Sequence, residues 1–219
     1  MYLKSLWLQH FRVFPQKTLQ FKSQVSVIVA PNATGKSTVL EAIYLLATVK
    51  SSRAQRIEEM ISFGQELAYV KAKVTTDLPN SDSESMGGLD ELQLGLLLNR
   101  GEVAGRRTHK LHFSINENKR LRADFLGNFL AVSFGPEDMR LIEGSPSRRR
   151  AYLDNVLVQV DREYDLALKQ YEQTLRRRNK LLSQIKDGEQ SSRSLTFWDM
   201  SLIKHGELIQ LKRRQLTEF

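Results

Sequence analysis

The stretch VIVAPNATGKST, residues 27–38, constrains the fold of this chain more than any other feature. The apolar run before it, VSVIV at residues 25–29, predicts a short strand buried on both faces of a sheet. The spacing of apolar residues over 36–47 predicts a helix. Strand, loop and helix in this order are typical of a phosphate-binding loop, and a plain strand-to-helix turn is the alternative.

In the pattern G-x-x-x-x-G-K-[ST], backbone N–H groups surround phosphate oxygens, the lysine reaches the outer phosphates and the hydroxyl binds Mg²⁺. Gly35, Lys36 and Ser37 match it, whereas alanines stand at positions 30 and 33. A methyl group where φ is positive costs about 1 kcal/mol, which weakens the site without abolishing it. The predicted nucleotide-binding residues are Ala30, Pro31, Asn32, Ala33, Thr34, Gly35, Lys36, Ser37 and Thr38, with Ser37 as the Mg²⁺ ligand.

The base of the nucleotide is predicted from the absence of a guanine-binding motif. A guanine-binding Asn-Lys-x-Asp does not occur, because Asn118-Lys119 and Asn179-Lys180 are followed by Arg-Leu and Leu-Leu. Adenine is therefore favoured, and ATP with Mg²⁺ is the predicted cofactor.

The rest of the chain divides into a mixed part and a helical part. Strands are predicted at 69–74 and 92–99, antiparallel to each other, and at 111–115 and 129–134. The polar stretch at 77–91 is predicted to be a mobile connection. After Pro146 the apolar periodicity predicts a helical hairpin with its turn near 186–194. The predicted class is α/β: residues 1–146 form a lobe with a mixed sheet around the loop helix, and residues 147–219 form a helical lobe.

Charge favours a polyanionic partner. The formal net charge is +8, and residues 100–122 hold seven basic and two acidic side chains. A solvated basic surface without a partner is the alternative. The candidate DNA-contacting residues are Arg106, Arg107, Lys110, Lys119, Arg120 and Arg122.

Other site chemistry has little support in the sequence. Without cysteine the chain has no disulfides or thiolate metal sites, and its apolar runs are too short to span a bilayer. We expect a cytoplasmic protein without a membrane partner. His109 and His112 are not expected to bind a metal, because that spacing on a strand points the two rings to opposite faces.

Three segments besides the loop carry a family resemblance: LWLQHFRVF, LEAIYLLATVKSSRAQRIEEMISFG and FGPEDMRLIEGSPSRRRAYLD. With the helical segments YEQTLRRRNKLL and FWDMSLIKHGELI, they resemble in order the RecF family of DNA replication and repair proteins. These are ABC-type ATPases related to the SMC and Rad50 proteins. The resemblance implies an ABC-type ATPase lobe followed by a helical lobe.

The resemblance also implies functions for the chain. It implies ATP-dependent homodimerisation in the full-length form, binding to single-stranded or gapped DNA, and repair partner proteins. The processes implied are DNA replication, recombinational repair and the SOS response. Arg53 lies where related ATPases place an arginine near the nucleotide, and residues 134–138 lie where they couple nucleotide to the helical lobe. A surface arginine, and a turn or helix cap, are the respective alternatives.

Two later ATPase motifs were not found: an apolar strand ending in Asp-Glu and a serine-glycine signature. Residues 156–161 have a helical pattern, and residues 85–88 lie in the polar stretch. In the family these motifs come later, so the chain is expected to be the N-terminal part of a longer protein. No catalytic residue is predicted, and we expect no hydrolysis by this chain alone. A non-hydrolysing DNA-binding or assembly module is the alternative function.

Overall fold

The computed structural model describes residues 1–75, 91–103 and 105–218. The chain forms two compact units, Met1–Ser133 and Phe134–Phe219. The division lies earlier than the boundary near residue 146 expected from sequence. Two short helical turns, at 136–139 and 140–143, contact each other, and the second of them contacts the first long helix of the second unit. The polar connection at 77–91 and the candidate motif at 85–88 lie outside the described residues, apart from Glu91.

The strands of the first unit are β1 Tyr2–Phe11, β2 Phe14–Gln20, β3 Leu67–Thr75, β4 Leu92–Asn99, β5 Glu102–Val103, β6 Arg106–Arg107, β7 Leu111–Ile115 and β8 Asn118–Arg120. Six of them form one sheet in the order β2-β1-β3-β4-β7-β8, and every described pairing is antiparallel. A separate hairpin, β5–β6, lies between β4 and β7 in the chain. The helices are α1 Lys36–Thr48 and the single turn α2 Arg122–Phe125. The predicted α/β class is confirmed, with the strands at 69–74, 92–99 and 111–115.

Side chains alternate across this sheet as period-two strands require. Leu6, Leu8, Val70 and Leu96 are at most 1% exposed on one face. The apolar side of α1 belongs to the same core, with Ala42, Leu45 and Leu46 buried. The opposite face is more polar, as is common where an antiparallel sheet has one solvated side.

Two predicted strands are wrong. Residues 25–29 adopt no strand, and Val25, Val27 and Val29 are 78%, 79% and 87% exposed. Residues 129–134 are also irregular: Phe129 is buried, but Val132 is 82% exposed. A strand needs a neighbour to satisfy its backbone N–H and C=O groups, and no described strand pairs with either segment.

The second unit is helical. Its helices are α3 Arg140–Glu143, α4 Pro146–Val160, α5 Arg162–Lys186 and α6 Leu195–Thr217. The apolar stripe that begins after Pro146 is interrupted at Asp161, whose carboxylate accepts the Tyr164 N–H at 2.9 Å and caps α5. Residues 156–161 are therefore helical up to this cap, as their pattern predicted.

Helices α5 and α6 form an antiparallel hairpin, joined by the Arg178–Asp199 ion pair at one end and Lys212–Asp161 at the other. Tyr164 is fully buried and donates its hydroxyl to Asp154, which also binds Arg213 at 2.7 Å. Burial and the Asp154 carboxylate raise the pKa of Tyr164. No helix in the described part of the chain is long and apolar enough to cross a membrane.

Candidate nucleotide-binding site

The phosphate loop, residues 30–38, ends in the first turn of α1. Gly35 has φ of 98° and its carbonyl accepts the Thr38 and Val39 N–H groups at 3.0 and 3.1 Å. The Thr34 hydroxyl donates to the Pro31 carbonyl at 2.8 Å and folds the loop back on itself. The loop therefore leads directly to a helix N-terminus, where free N–H groups and the helix dipole favour an anion.

Lys36 is enclosed by this loop. Its Nζ donates to the carbonyl oxygens of Ala30 and Pro31, both at 2.7 Å. The loop backbone thus curves around the ammonium group, and the positive charge lies at the N-terminal end of α1. An anion placed there meets the ammonium and the helix N–H groups together.

The two alanines behave differently. Ala33 has φ of 65°, in the left-handed region, whereas Ala30 is not among the residues with positive φ. The cost of a methyl group in this region applies to Ala33 alone. At position 30 the expected penalty for replacing glycine is therefore absent.

Ser37 lies on the first turn of α1 and is exposed. Within the described residues its hydroxyl makes no recorded hydrogen bond, so it is open to a ligand. Those residues contain no group of three or more His, Asp or Glu side chains that could hold a metal ion by itself. Mg²⁺ at this point would need oxygen ligands from bound phosphates besides Ser37.

Gly35 is required by space as well as by backbone angle. A Cβ atom built on Gly35 would lie 2.5 Å from the end of the Phe14 ring and 2.9 Å from a methyl of Val13. The loop therefore packs against the tip of the β1–β2 hairpin, which fixes where α1 begins.

We expect Gly35→Ala to reduce ATP affinity at least tenfold and to destabilise the first unit by about 2 kcal/mol, through strain at positive φ and overpacking. Gly64→Ala is the matched control, because Gly64 has φ of 75° but open space around its Cβ position. Calorimetric ATP titration and thermal melting measure the two effects. Equal losses in both variants would contradict the packing role of Gly35.

Sequence reasoning missed an ionic cluster behind the loop helix. Glu41 is 1% exposed and accepts two hydrogen bonds from Arg12, at 2.7 and 3.0 Å, and one from the Ser51 hydroxyl at 2.5 Å. Arg12 also donates to the Glu59 carbonyl at 2.7 Å. These contacts join the hairpin tip, α1 and the segment after α1. The sequence did offer a signal for this cluster, because Glu41 is a charged residue on the otherwise apolar face of the predicted helix.

Two further candidates from the sequence are Arg53 and residues 134–138. Arg53 is exposed, and its backbone N–H donates to Ser51 Oγ at 2.9 Å. In the second unit, Asp138 accepts the Gly135 N–H at 2.7 Å and donates its own N–H to the Gly135 carbonyl, which closes a turn. This contact fits the turn-or-cap alternative for residues 134–138.

The candidate DNA-contacting residues lie in three settings. Arg106, Arg107, Lys119 and Arg120 are exposed on β6 and β8. Lys110 is paired with Glu58, whose pKa it lowers through a hydrogen bond. Arg122 begins α2.

His109 and His112 differ in setting. His112 lies on β7 and His109 lies outside the described strands. Burial, reinforced by the charge of Lys119, lowers the pKa of His112. Its Nε2 lies 3.1 Å from the Thr108 hydroxyl.

A family model for the RecF/RecN/SMC N terminal domain matches residues 2–135. The chain belongs to this family. The resemblance to RecF predicted from the sequence is thereby confirmed. The match includes the whole candidate phosphate loop, the hairpin that packs on it and the eight described strands.

The similar proteins include the DNA replication and repair protein RecF of a Cyanothece species, 37% identical over 217 residues. That alignment covers 99% of this chain and 53% of the relative. RecF of a Thermoanaerobacter species is 34% identical over 215 residues, covering 98% and 54%. The chain therefore spans about half the length of the curated relatives it matches.

Two solved structures are similar to this chain. The recombination mediator protein RecF with ATP, in the RecFOR pathway, matches with a TM-score of 0.83 and 32% identity over 99% of this chain and 54% of its own. The Smc head domain of Pyrococcus furiosus matches with a TM-score of 0.51 and 20% identity, covering all of this chain and 57% of that one. The second likeness concerns the fold alone.

Proposed function

We propose that this chain is the ATP-binding part of a DNA replication and repair protein, and that residues 30–38 hold the phosphates of ATP. The observation that carries the proposal is the position of Lys36, whose ammonium lies within the loop at the start of α1. Lys36 would bind the β and γ phosphates, and N–H groups of the loop and helix would bind the remaining oxygens. The ATP complex of the structurally similar RecF supports the choice of nucleotide.

Mg²⁺ belongs to this proposal through the exposed hydroxyl of Ser37. The ion would neutralise charge on the phosphates, while Ser37 would fix its position relative to α1. Arg53, exposed on the segment that follows α1, is proposed as an additional nucleotide contact.

The proposed partner is single-stranded or gapped DNA, supported by the net charge of +8 and by the exposed basic residues of β6 and β8. Such side chains bind phosphates without base specificity. ATP-dependent homodimerisation, contacts with repair proteins, participation in the SOS response and a cytoplasmic location complete the proposal. They are supported by family membership.

The test uses the whole protein that carries this sequence and a fluorescently labelled gapped duplex. We expect ATP with Mg²⁺ to raise DNA affinity about fivefold or more, the usual range for coupled sites, and Lys36→Ala to remove that response. Anisotropy titrations with and without ATP measure it. DNA affinity that does not depend on ATP and is unchanged by Lys36→Ala would refute the ATP-coupled function.

A non-hydrolysing binding module is a second candidate. It is favoured by the lack of an acidic cluster beside Ser37 in the described residues, since a carboxylate is needed to complete the metal site and polarise water. Phosphate release measured in the same titrations separates the two candidates. ATP turnover by the whole protein that disappears in Lys36→Ala would exclude the binding module.

A further inference from the structure

The face of the six-stranded sheet opposite α1, here called the outer face, has an unusual composition. Its strand residues alternate with the buried ones, so Trp7 lies between Leu6 and Leu8, and Lys71 between Val70 and Ala72. Unlike the buried side chains, Trp7, Tyr69 and Lys71 are partly exposed.

One row of outer-face residues crosses the sheet in register. Trp7 pairs with Lys71, Lys71 with Gly95, Gly95 with Ser114, and Ser114 with Lys119. Neighbouring strands are about 4.8 Å apart, so Lys71 and Lys119 are separated by three spacings, or roughly 14 Å. The row therefore places an aromatic ring and a cation at one side and a second cation at the other.

The middle of this row consists of two small residues, Gly95 and Ser114. Gly95 has no side chain, and a Cβ built on it would lie 2.3 Å from Ser114 Oγ. The smallest residue types thus stand between Lys71 and Lys119. Gly95 is buried, because the Ser114 side chain fills the space above it.

Aromatic and cationic groups are interleaved beside these small residues. The Trp7 and Tyr69 rings lie 6.2 Å apart with a 50° angle between their planes. Lys71 Nζ lies 5.5 Å from the centre of the Trp7 ring. Lys73, two residues further along β3, adds an exposed cation on the same face.

The outer face carries no acidic side chain on its described strand positions. Two carboxylates lie at its border, where Glu91 and Glu117 line a cavity of about 330 Å³ with Lys73 and Gln93. Glu91 is itself paired with Lys4 at 2.6 Å. The charge of the face is thus positive up to that border, which is complementary to a polyanion.

We propose that the outer face binds single-stranded nucleic acid, with a base stacked on the Trp7–Tyr69 pair and backbone phosphates bound by Lys71, Lys73 and Lys119. This inference rests on the proposed DNA-binding function and assigns its site. A single strand is the occupant because its bases are free to stack on aromatic rings, whereas duplex bases are already stacked. Four of these residues, all except Lys119, lie on β1 and β3, far in sequence from the basic segment 100–122.

The chain has two tryptophans, Trp7 and Trp198, so a Trp198→Phe background makes Trp7 a unique reporter. Titration with a fluorescein-labelled thymidine 12-mer is expected to quench Trp7. By anisotropy, Trp7→Ala should weaken binding about tenfold, as loss of one stacked base does. Lys71→Gln and Lys119→Gln should each lower the salt-dependence slope by about 0.7. Far-UV circular dichroism establishes that each variant is folded.

Lys17→Gln is the matched control, because it removes the same charge from β2 at a position opposite Leu8, on the other side of the sheet. It is expected to change 12-mer affinity less than twofold. Binding of the 12-mer without Trp7 quenching, or unchanged by the Trp7, Lys71 and Lys119 substitutions, would overturn the site and leave DNA binding intact. Absence of any DNA binding would overturn both. Equal quenching by poly-glutamate would exclude a nucleic-acid site.

Discussion

Lys36→Ala is expected to weaken ATP binding by this chain roughly 30-fold, which corresponds to about 2 kcal/mol for a lost hydrogen bond from a charged donor. The loss is expected because of the position of the Lys36 ammonium in the loop. The ammonium of Lys36 is the cation that the loop carbonyls of Ala30 and Pro31 hold at the helix N-terminus. Alanine leaves only the N–H groups and the helix dipole to bind the outer phosphates.

Isothermal titration calorimetry with Mg-ATP measures the loss directly. A second readout is the ATP-induced rise in melting temperature, which depends on affinity through mass action and disappears when binding is lost. Lys22→Ala is the matched control, because it removes an exposed lysine from the segment just before the loop without touching the loop. If Lys36→Ala and Lys22→Ala bind ATP equally well, residues 30–38 are not the nucleotide site.

Arg12→Ala is expected to lower the free energy of unfolding by about 3 kcal/mol, the usual cost of leaving a buried charge without its partner. The Glu41 side chain is fully buried, and without Arg12 the Ser51 hydroxyl is the one hydrogen-bond donor left to it among the described residues. Arg12 has φ of 55°, and alanine bears the same backbone strain there, so the change reports the ion pair. A fall in melting temperature of about 6–12 °C follows for a chain of this size.

The exposed pair Lys4–Glu91, with side chains 38% and 36% accessible, supplies the comparison. Lys4→Ala should cost less than about 1 kcal/mol, because solvent screens such a pair. The double variant Arg12→Met with Glu41→Leu should recover much of the lost stability, since an apolar pair needs no charge compensation. Thermal melts of these variants measure the differences. Equal melting temperatures for Arg12→Ala and the parent would show that Glu41 needs no cation.

The candidate site was predictable because its residues are consecutive. Gly35, Lys36 and Ser37 lie on one turn, and that turn depends on local backbone geometry. The helix after them was predicted over 36–47 from apolar periodicity, and it extends over Lys36–Thr48. The strands β3, β4 and β7 were predictable for a similar reason, since period-two alternation shows one buried face.

The apolar, β-branched composition of residues 25–29 predicted a strand, and composition alone could not show that no strand forms there. Composition indicates that Val25, Val27 and Val29 would fit a buried sheet, but a strand exists only where a second strand accepts and donates its hydrogen bonds. That partner is a property of the whole fold. The same limit applies to residues 129–134.

The chemistry of residues 30–38 and the resemblance to RecF proteins could be inferred from neighbouring residues, because the phosphate loop is short and its flanking segments are ordered along the chain. Arg12 and Glu41, 29 residues apart, meet only because a hairpin tip packs against a helix. Trp7, Lys71, Gly95, Ser114 and Lys119 share a row only through the register of five strands. Contacts between distant residues depend on how the sheet is paired and packed, and no local pattern encodes that pairing.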